Sequence, residues 1–147
     1  MNRLIALLFI STFFFTNAFA QPLNTATPQV MLKTAQEQLE KQDAFRALEW
    51  FDKYYDETKD TEVIPQMARL SMQLGDYKKA ESYFSRYLKP RPNKRKKKEL
   101  TEEQVEDFYD YGRSKKMNEK YEEAIVELEK YIARGKDPIK KELAQSE

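Results

Sequence analysis

The sequence predicts an all-α fold, a solenoid of three helix–turn–helix repeats followed by one terminal helix. The first observation is a pattern that occurs three times: an Ala, a large apolar residue four positions later and a Tyr seven positions later. These spacings lie on one face of a helix. The second is the distance between the three alanines, Ala47, Ala80 and Ala124, which are 33 and 44 residues apart. A period of about 34 residues with one insertion of about ten indicates a helical repeat protein.

The first repeat is predicted over residues 28–60. Its opening helix begins with Thr27 as N-cap and Pro28 in the first helical position, which are favoured places for these residue types. The second repeat is predicted over residues 61–92. We expect Thr61 to cap its opening helix, with Pro65 in the first turn, where a missing N–H does little harm.

The third repeat is predicted over residues 101–136, after an inserted basic loop at residues 89–100. Thr101 and Gln104 have the spacing of a capping box, which marks the start of its opening helix. Each opening helix also carries a small residue twelve positions before the alanine of the following helix. A small residue there lets the two helices of a pair approach closely. These residues are Ala35, Ala68 and Gly112.

Residues 137–147 form a further predicted helix, with Asp137 as N-cap and a Pro in the first helical position. We expect Ile139 and Leu143 to cover the exposed face of the third repeat. The segment is either the capping helix that a solenoid needs or the start of a truncated fourth repeat. Both interpretations remain open at the level of the sequence.

The stretch from Leu74 to Ala80, with Phe84 and Pro92, resembles the tetratricopeptide repeat (TPR) motif in its turn Gly, Tyr, Ala, Phe and terminating Pro. The resemblance extends over about residues 28–136. It implies a superhelical solenoid whose concave groove, lined by the first helix of each repeat, binds a segment of a partner protein. The resemblance is specific for the fold and implies no catalytic activity.

Laid on the TPR arrangement, the groove would be lined from the second and third repeats by Arg69, Met72, Gln73, Tyr109, Arg113 and Lys116. Arg69 and Arg113 occupy equivalent positions. Two guanidinium groups one repeat apart could hold a carboxylate or an acidic segment in bidentate fashion. The alternative is that both arginines are solvated and pair with neighbouring Asp or Glu side chains.

The first twenty residues have the layout of a secretory signal peptide: Arg3, an apolar run from Leu4 to Phe15, and the small residues of Ala18-Phe-Ala20. The run is too short for a comfortable membrane span. We therefore expect cleavage between Ala20 and Gln21, followed by a short linker at residues 21–27. An exported protein without Cys is typical of a bacterial envelope, so the predicted location is periplasmic or associated with the outer membrane.

Composition argues against an enzyme and against a bound cofactor or metal. The 147 residues include no His, no Cys and only three Gly. The usual zinc ligands, thiol and imidazole catalysis and Gly-rich phosphate loops are therefore excluded. No Ser lies in a nucleophile-elbow context, and we expect pairs such as Asp107 and Asp110 to be solvated charges on a helix face or favourable charges near a helix N-terminus.

A strongly basic segment interrupts the second interval, between Ala80 and Ala124. Seven of the ten residues from Lys89 to Lys98 are basic, and its core consists of Lys94, Arg95, Lys96, Lys97 and Lys98. The rest of the chain after residue 20 has 18 basic and 25 acidic residues, a net charge of −7. Contact with an anionic envelope surface or an acidic protein is the functional interpretation, and a solvated loop is the alternative. We expect no nucleic acid partner, because the predicted export and the lack of interleaved aromatic residues both argue against one.

Together these features predict a non-catalytic protein–protein interaction scaffold of the bacterial envelope, which binds a partner segment in a concave groove. The alternative is the N-terminal TPR segment of a larger outer-membrane, peptidoglycan-associated or secretion-machinery protein. The expected partner is a protein or peptide, and the two arginines favour an acidic one.

Overall fold

The protein is described by a computed structural model, which covers residues 26–88 and 100–147. All regular secondary structure in these two ranges is helical, which confirms the predicted all-α class. The predicted signal segment, most of the linker and most of the inserted loop lie outside the described residues. The helices are α1 (Pro28–Glu40), α2 (Ala44–Thr58), α3 (Ile64–Gln73), α4 (Tyr77–Leu88), α5 (Glu102–Met117), α6 (Tyr121–Arg134) and α7 (Pro138–Ser146).

Three of the four predicted helix starts are confirmed. The hydroxyl of Thr27 accepts a hydrogen bond from the backbone N–H of Val30 at the start of α1. Thr101 and Gln104 form the reciprocal bonds of a capping box at α5, at 3.1 and 3.2 Å. The carboxylate of Asp137 accepts from two backbone N–H groups of α7. Each side chain satisfies donors that have no partner within the helix.

The expectation that Thr61 caps the second repeat is wrong. Asp60 Oδ1 accepts from the backbone N–H of Glu62 at 3.0 Å, and the chain makes a 3-10 turn over Thr61–Val63 before α3 begins at Ile64. A carboxylate is at least as good a cap as a hydroxyl, and here it stands one residue earlier. Pro65 does lie in the first turn of α3, as predicted.

The turns inside the three helix pairs share one backbone conformation. Gln42, Gly75 and Glu119 stand five residues before the repeat alanines, and their φ angles are 59°, 77° and 63°. At each turn the next residue donates its N–H to a carbonyl five residues back, which ends the first helix with a left-handed residue. Only Gly75 adopts this conformation without a Cβ penalty. The three units are therefore equivalent in backbone geometry even where the turn glycine is missing.

The helices pack mainly against their chain neighbours, most closely within the pairs α1–α2, α3–α4 and α5–α6. The small residues predicted at the crossings are buried. A Cβ on Gly112 would lie 2.6 Å from Cγ of Leu128, so α5 and α6 contact each other through the missing side chain. The fully buried alanines at the other two crossings are Ala35, Ala47, Ala68 and Ala80.

Two apolar clusters form the core, one within α1–α4 and one within α5–α7. Leu88 packs against both, and Tyr111 of α5 belongs to the first cluster, where its ring lies 6.0 Å from that of Phe84. Of the recurring tyrosines, Tyr83, Tyr111 and Tyr131 are buried, whereas Tyr54 and Tyr87 are half-buried against the first cluster. The third helix pair is thus joined to the second through shared aromatic packing.

The way α7 covers the third pair differs from the expectation. Ile139 and Leu143 remain 69% and 47% exposed, whereas Ala144 is only 5% exposed and joins the α5–α7 cluster. The reason is charge pairing, because Lys140 and Glu147 both bind side chains of α5. Positions 140, 144 and 147 lie on one helix face, so these pairs turn Ala144 inward. Among the described residues, no helix is long and apolar enough to cross a membrane.

Candidate partner-binding site

The six residues predicted to line the groove lie on α3 and α5, and they differ in accessibility. Gln73 and Arg113 are exposed, whereas Arg69, Met72 and Lys116 are half-buried. Tyr109 is buried. The two helices also contact each other, so the six residues belong to one layer of the molecule. Their charged members have specific partners in that layer.

Arg69 is bound by two carboxylates of the next pair. Its Nη2 lies 2.5 Å from Oδ1 of Asp107, and its Nε lies 3.3 Å from Oδ2 of Asp110. The fork of one guanidinium therefore spans two acidic side chains three residues apart on α5. This arrangement matches the alternative in which the arginine pairs with neighbouring acids. Arg69 therefore links α3 to α5, and its Nε and Nη2 groups are already engaged by these carboxylates.

Asp107 is fully buried, so the expectation that it is a solvated charge on a helix face is wrong. Burial raises its pKa to about 6 and outweighs the opposing effect of Arg69. Its second oxygen, Oδ2, is buried and has no hydrogen-bond partner among the described residues. The position is therefore costly for a charge, although an arginine supports it.

Arg113 and Lys116 converge on one carboxylate, that of Glu147. Arg113 Nε lies 3.7 Å from Oε1 of Glu147, and Lys116 Nζ lies 2.5 Å from Oε2. The two cations stand three residues apart on α5, so they face the same side of the helix. A single carboxylate of the chain itself thus receives two positive groups, from Arg113 and Lys116 rather than from the predicted pair of Arg69 and Arg113.

The contacts between α5 and α7 follow a fixed spacing. Glu102 pairs with Lys136, Glu106 pairs with Lys140 at 2.7 Å, and Arg113 pairs with Glu147. Each pair joins residues 34 positions apart, so the two helices lie side by side and run in the same direction. The hydrogen bond to Glu106 raises the pKa of Lys140, against the effect of burial.

The sequence reasoning missed these three pairs, although a signal for them was available. Opposite charges separated by one repeat length occupy equivalent positions in successive opening helices. A search for acidic and basic residues 34 positions apart would have found Glu147 opposite Arg113. The residue of the candidate site that the sequence did not reveal is therefore Glu147, together with the ion pair of Glu106 on α5 and Lys140 on α7.

Tyr109 lies beneath this charged surface. Its ring centroid is 5.4 Å from that of Tyr131 on α6. The guanidinium carbon of Arg113 is 5.7 Å from the Tyr109 ring, and Nζ of Lys140 is 5.9 Å from it. Cations at such distances are attracted by the ring face. Tyr109 was predicted as an accessible groove residue, but here α7 helps to bury it, and its ring supports the cations above.

A concave surface lies between α4 and the turn that joins α5 to α6. It is a polar cleft of about 320 Å³ lined by Lys78, Glu81, Ser82, Ser85, Asn118 and Lys120. Glu81 accepts hydrogen bonds from Asn118 at 2.8 Å and from Lys120 at 2.7 Å. These polar groups satisfy one another. The described ranges contain no group of three or more acidic residues arranged to hold a metal ion.

The predicted basic residues Lys94, Arg95, Lys96, Lys97 and Lys98 lie outside the described residues. The candidate site is therefore the surface of α5 around Arg113 and Lys116. Comparison with known proteins gives no relative from which a role could be transferred. The chain matches no protein-family model, and no curated protein is significantly similar to it.

Proposed function

We propose that the protein is a non-catalytic interaction scaffold that binds a carboxylate-bearing segment of a partner protein. The observation that carries this proposal is the convergence of Arg113 and Lys116 on the carboxylate of Glu147. The planar guanidinium of Arg113 and the compact ammonium group of Lys116 meet at one carboxylate. The side chain that fills this position follows directly after α7, in which Ala144 is the one buried residue.

The surface around the two cations suits a peptide. Tyr109, Arg113 and Met117 follow one another at intervals of four residues, so they form a stripe along α5. Met117 is 53% exposed, and Met side chains adapt to irregular partners. An apolar, adaptable contact beside two cations favours an acidic segment that also carries an apolar side chain.

We further propose that the helices form a TPR-type solenoid, in which α1, α3 and α5 occupy equivalent places and α7 covers α5. Three observations support this arrangement: the three left-handed turn residues, the small residues at the three crossings, and the pairs 34 residues apart. In such a solenoid, the first helices line the partner groove, which is where the two cations stand.

The proposed location is the bacterial envelope. Its support is the pattern of the first twenty residues, a basic start, an apolar run and a small-residue end, together with the absence of Cys from the sequence. The basic residues between Lys94 and Lys98 would add a contact with anionic surfaces. A scaffold of this kind would present its groove to an acidic segment of another envelope protein.

The proposal is tested with a fluorescent oligoglutamate peptide as the probe and anisotropy as the readout. Arg113→Glu with Lys116→Glu should weaken binding at least about tenfold, which corresponds to about 1.4 kcal/mol. The matched control is Lys41→Glu with Arg134→Glu, two exposed cations that make no ion pair within the described part of the chain. Unchanged binding in the first variant, or an equal loss in the control, would contradict the proposal.

A further inference from the structure

α7 packs against α6, and its attachment to α5 is mainly ionic. Four ion pairs join this segment to α5; they are formed by Lys140 of the helix and by Lys136 and Glu147 on either side of it, and Glu147 takes part in two of them. In contrast, Ala144 is the one buried residue of this nine-residue helix. An alanine buries little apolar surface, and ion pairs at an exposed surface hold weakly and are screened by salt.

The partner surface of α5 has an ordered charge pattern. Its first turns carry Glu102 and Glu106, and its last turns carry Arg113 and Lys116. Because α7 runs parallel to α5, it presents basic side chains first and an acidic side chain last. The surface therefore selects a helix by both charge and direction. A helix laid antiparallel with the same charges would place like charges opposite each other.

Apart from Ala144, α7 buries little apolar surface. The buried residues of α5 include Phe108, Tyr111 and Gly112, whereas the α7 residues 34 positions later are Glu142, Gln145 and Ser146. These three are polar and exposed. Ile139 and Leu143 also remain largely exposed. The contacts of this segment with α5 and with the apolar cluster therefore come from one face, formed by Lys140, Ala144 and Glu147.

We infer that α7 is a resident pseudo-ligand, and that the partner is an amphipathic helix that displaces it from α5. This inference rests on the proposed function and names the partner class for the same site. The incoming helix carries a basic side chain, an apolar side chain four residues later and an acidic side chain three residues after that. That apolar side chain would take the place of Ala144 beside Tyr109 and Tyr131, which belong to the same cluster.

Because α7 belongs to the same chain, it competes with a free partner helix for the surface of α5. A tethered helix acts at an effective concentration in the millimolar range, so a free helix of equal intrinsic affinity binds poorly while α7 is docked. Charge reversal on α7 should release it without altering α5. The variant Lys140→Glu with Glu147→Lys places like charges opposite Glu106 and Arg113, whereas the surface that receives the free helix stays intact.

The test uses the full chain and a fluorescent peptide with the sequence of residues 137–147 as the probe. The double variant Lys140→Glu with Glu147→Lys should bind this peptide at least about tenfold more tightly than the wild type. Glu147→Gln, which removes one charge without repulsion, should give an intermediate gain. The control variant Lys141→Glu with Glu142→Lys reverses charges at positions without an ion pair in the described ranges, and it should bind like the wild type.

Trp50 lies on α2, in the first helix pair, and its fluorescence reports whether the body of each variant remains folded. Equal peptide affinity in the wild type and in a folded double variant would overturn the inference, whether that affinity is weak or strong. If the two proteins bind the peptide equally but oligoglutamate binding still depends on Arg113 and Lys116, the inference fails and the proposed function stands. Tighter binding of a peptide with the same composition in scrambled order would also overturn it.

Discussion

Arg69 of α3 and Asp107 of α5 form an ion pair between the second and third helix pairs, with 2.5 Å between Nη2 and Oδ1. The carboxylate is fully buried, whereas the guanidinium is 40% exposed. Asp110 holds the other edge of the same guanidinium. The described parts of the chain are separated by residues 89–99, and this pair joins them across that interval by a polar contact, beside the aromatic contact of Phe84 and Tyr111.

Arg69→Met should lower the free energy of unfolding by about 2–4 kcal/mol, because it leaves the buried Asp107 without its partner. Asp107→Asn in the same chain should recover a large part of that loss, since a neutral amide needs no counter-charge. Urea unfolding followed by Trp50 fluorescence measures both. Arg113→Met, which removes a partner of the more exposed Glu147, is the control and should cost less than about 1 kcal/mol. Equal costs for the two arginine variants would contradict a special role for the buried pair.

The titration of Asp107 should make the folded protein more stable as the pH falls, which is opposite to the usual effect of a carboxyl group. Its folded-state pKa of about 6 lies above the ordinary value of 3.8, so protonation stabilises the folded protein. This contribution is complete below the ordinary pKa and is lost as the pH rises through about 6. Between about pH 7.5 and pH 5, the wild type should gain about 1 kcal/mol relative to Asp107→Asn. A difference between the two proteins that stays constant over this range would show that Asp107 titrates elsewhere.

Gly112→Ala should destabilise the third helix pair by about 1–3 kcal/mol, because the new Cβ would lie 2.6 Å from Cγ of Leu128. The better helix propensity of alanine offsets at most about 1 kcal/mol of that cost. Thermal unfolding measured by circular dichroism gives the loss. Leu128→Ala removes the atoms that clash, so adding Gly112→Ala to it should cost little. Additive effects of the two substitutions would refute the direct contact.

Gln42→Gly and Glu119→Gly should each stabilise the protein by about 0.5–1 kcal/mol. Both residues have positive φ, and glycine relieves the Cβ penalty of about 1–2 kcal/mol at some cost in chain entropy. Denaturant midpoints of the two variants provide the measurement. Gly75→Ala, at φ 77° and with open space around its Cβ, is the opposite control and should destabilise. Destabilisation by both glycine variants would argue against left-handed turns at these positions.

Export should yield a chain that begins at Gln21. The basis is the basic start, the short apolar run and the small residues at Ala18 and Ala20. Intact mass of the protein recovered from the periplasm of an expressing bacterium checks the cleavage site. Ala20→Arg, which places a large charged residue at the predicted cleavage position, should leave the precursor uncleaved. A wild-type mass that retains residues 1–20 would contradict the predicted signal peptide.

The sequence was sufficient for the parts of the fold that depend on local periodicity. The spacing of Ala80, Phe84 and Tyr87 identifies a buried helix face, and Ala35, Ala68 and Gly112 mark the crossings, because only small residues allow two helices to approach closely. The capping box of Thr101 and Gln104 was predictable for the same reason. Its two hydrogen bonds join residues three positions apart, so no distant part of the chain decides them.

The charge partners were decided by the tertiary structure. From the sequence alone, Arg69, Asp107, Arg113 and Glu147 are ordinary charged residues on helix surfaces. Packing of α3 on α5 buries Asp107, and removal of water raises its pKa and makes Arg69 a structural partner rather than a free cation. Packing of α7 beside α5 brings Glu147 to Arg113 and turns Ile139 and Leu143 outward. Helix faces follow from the order of the residues, but the energy of a charge depends on what surrounds it after the helices have packed.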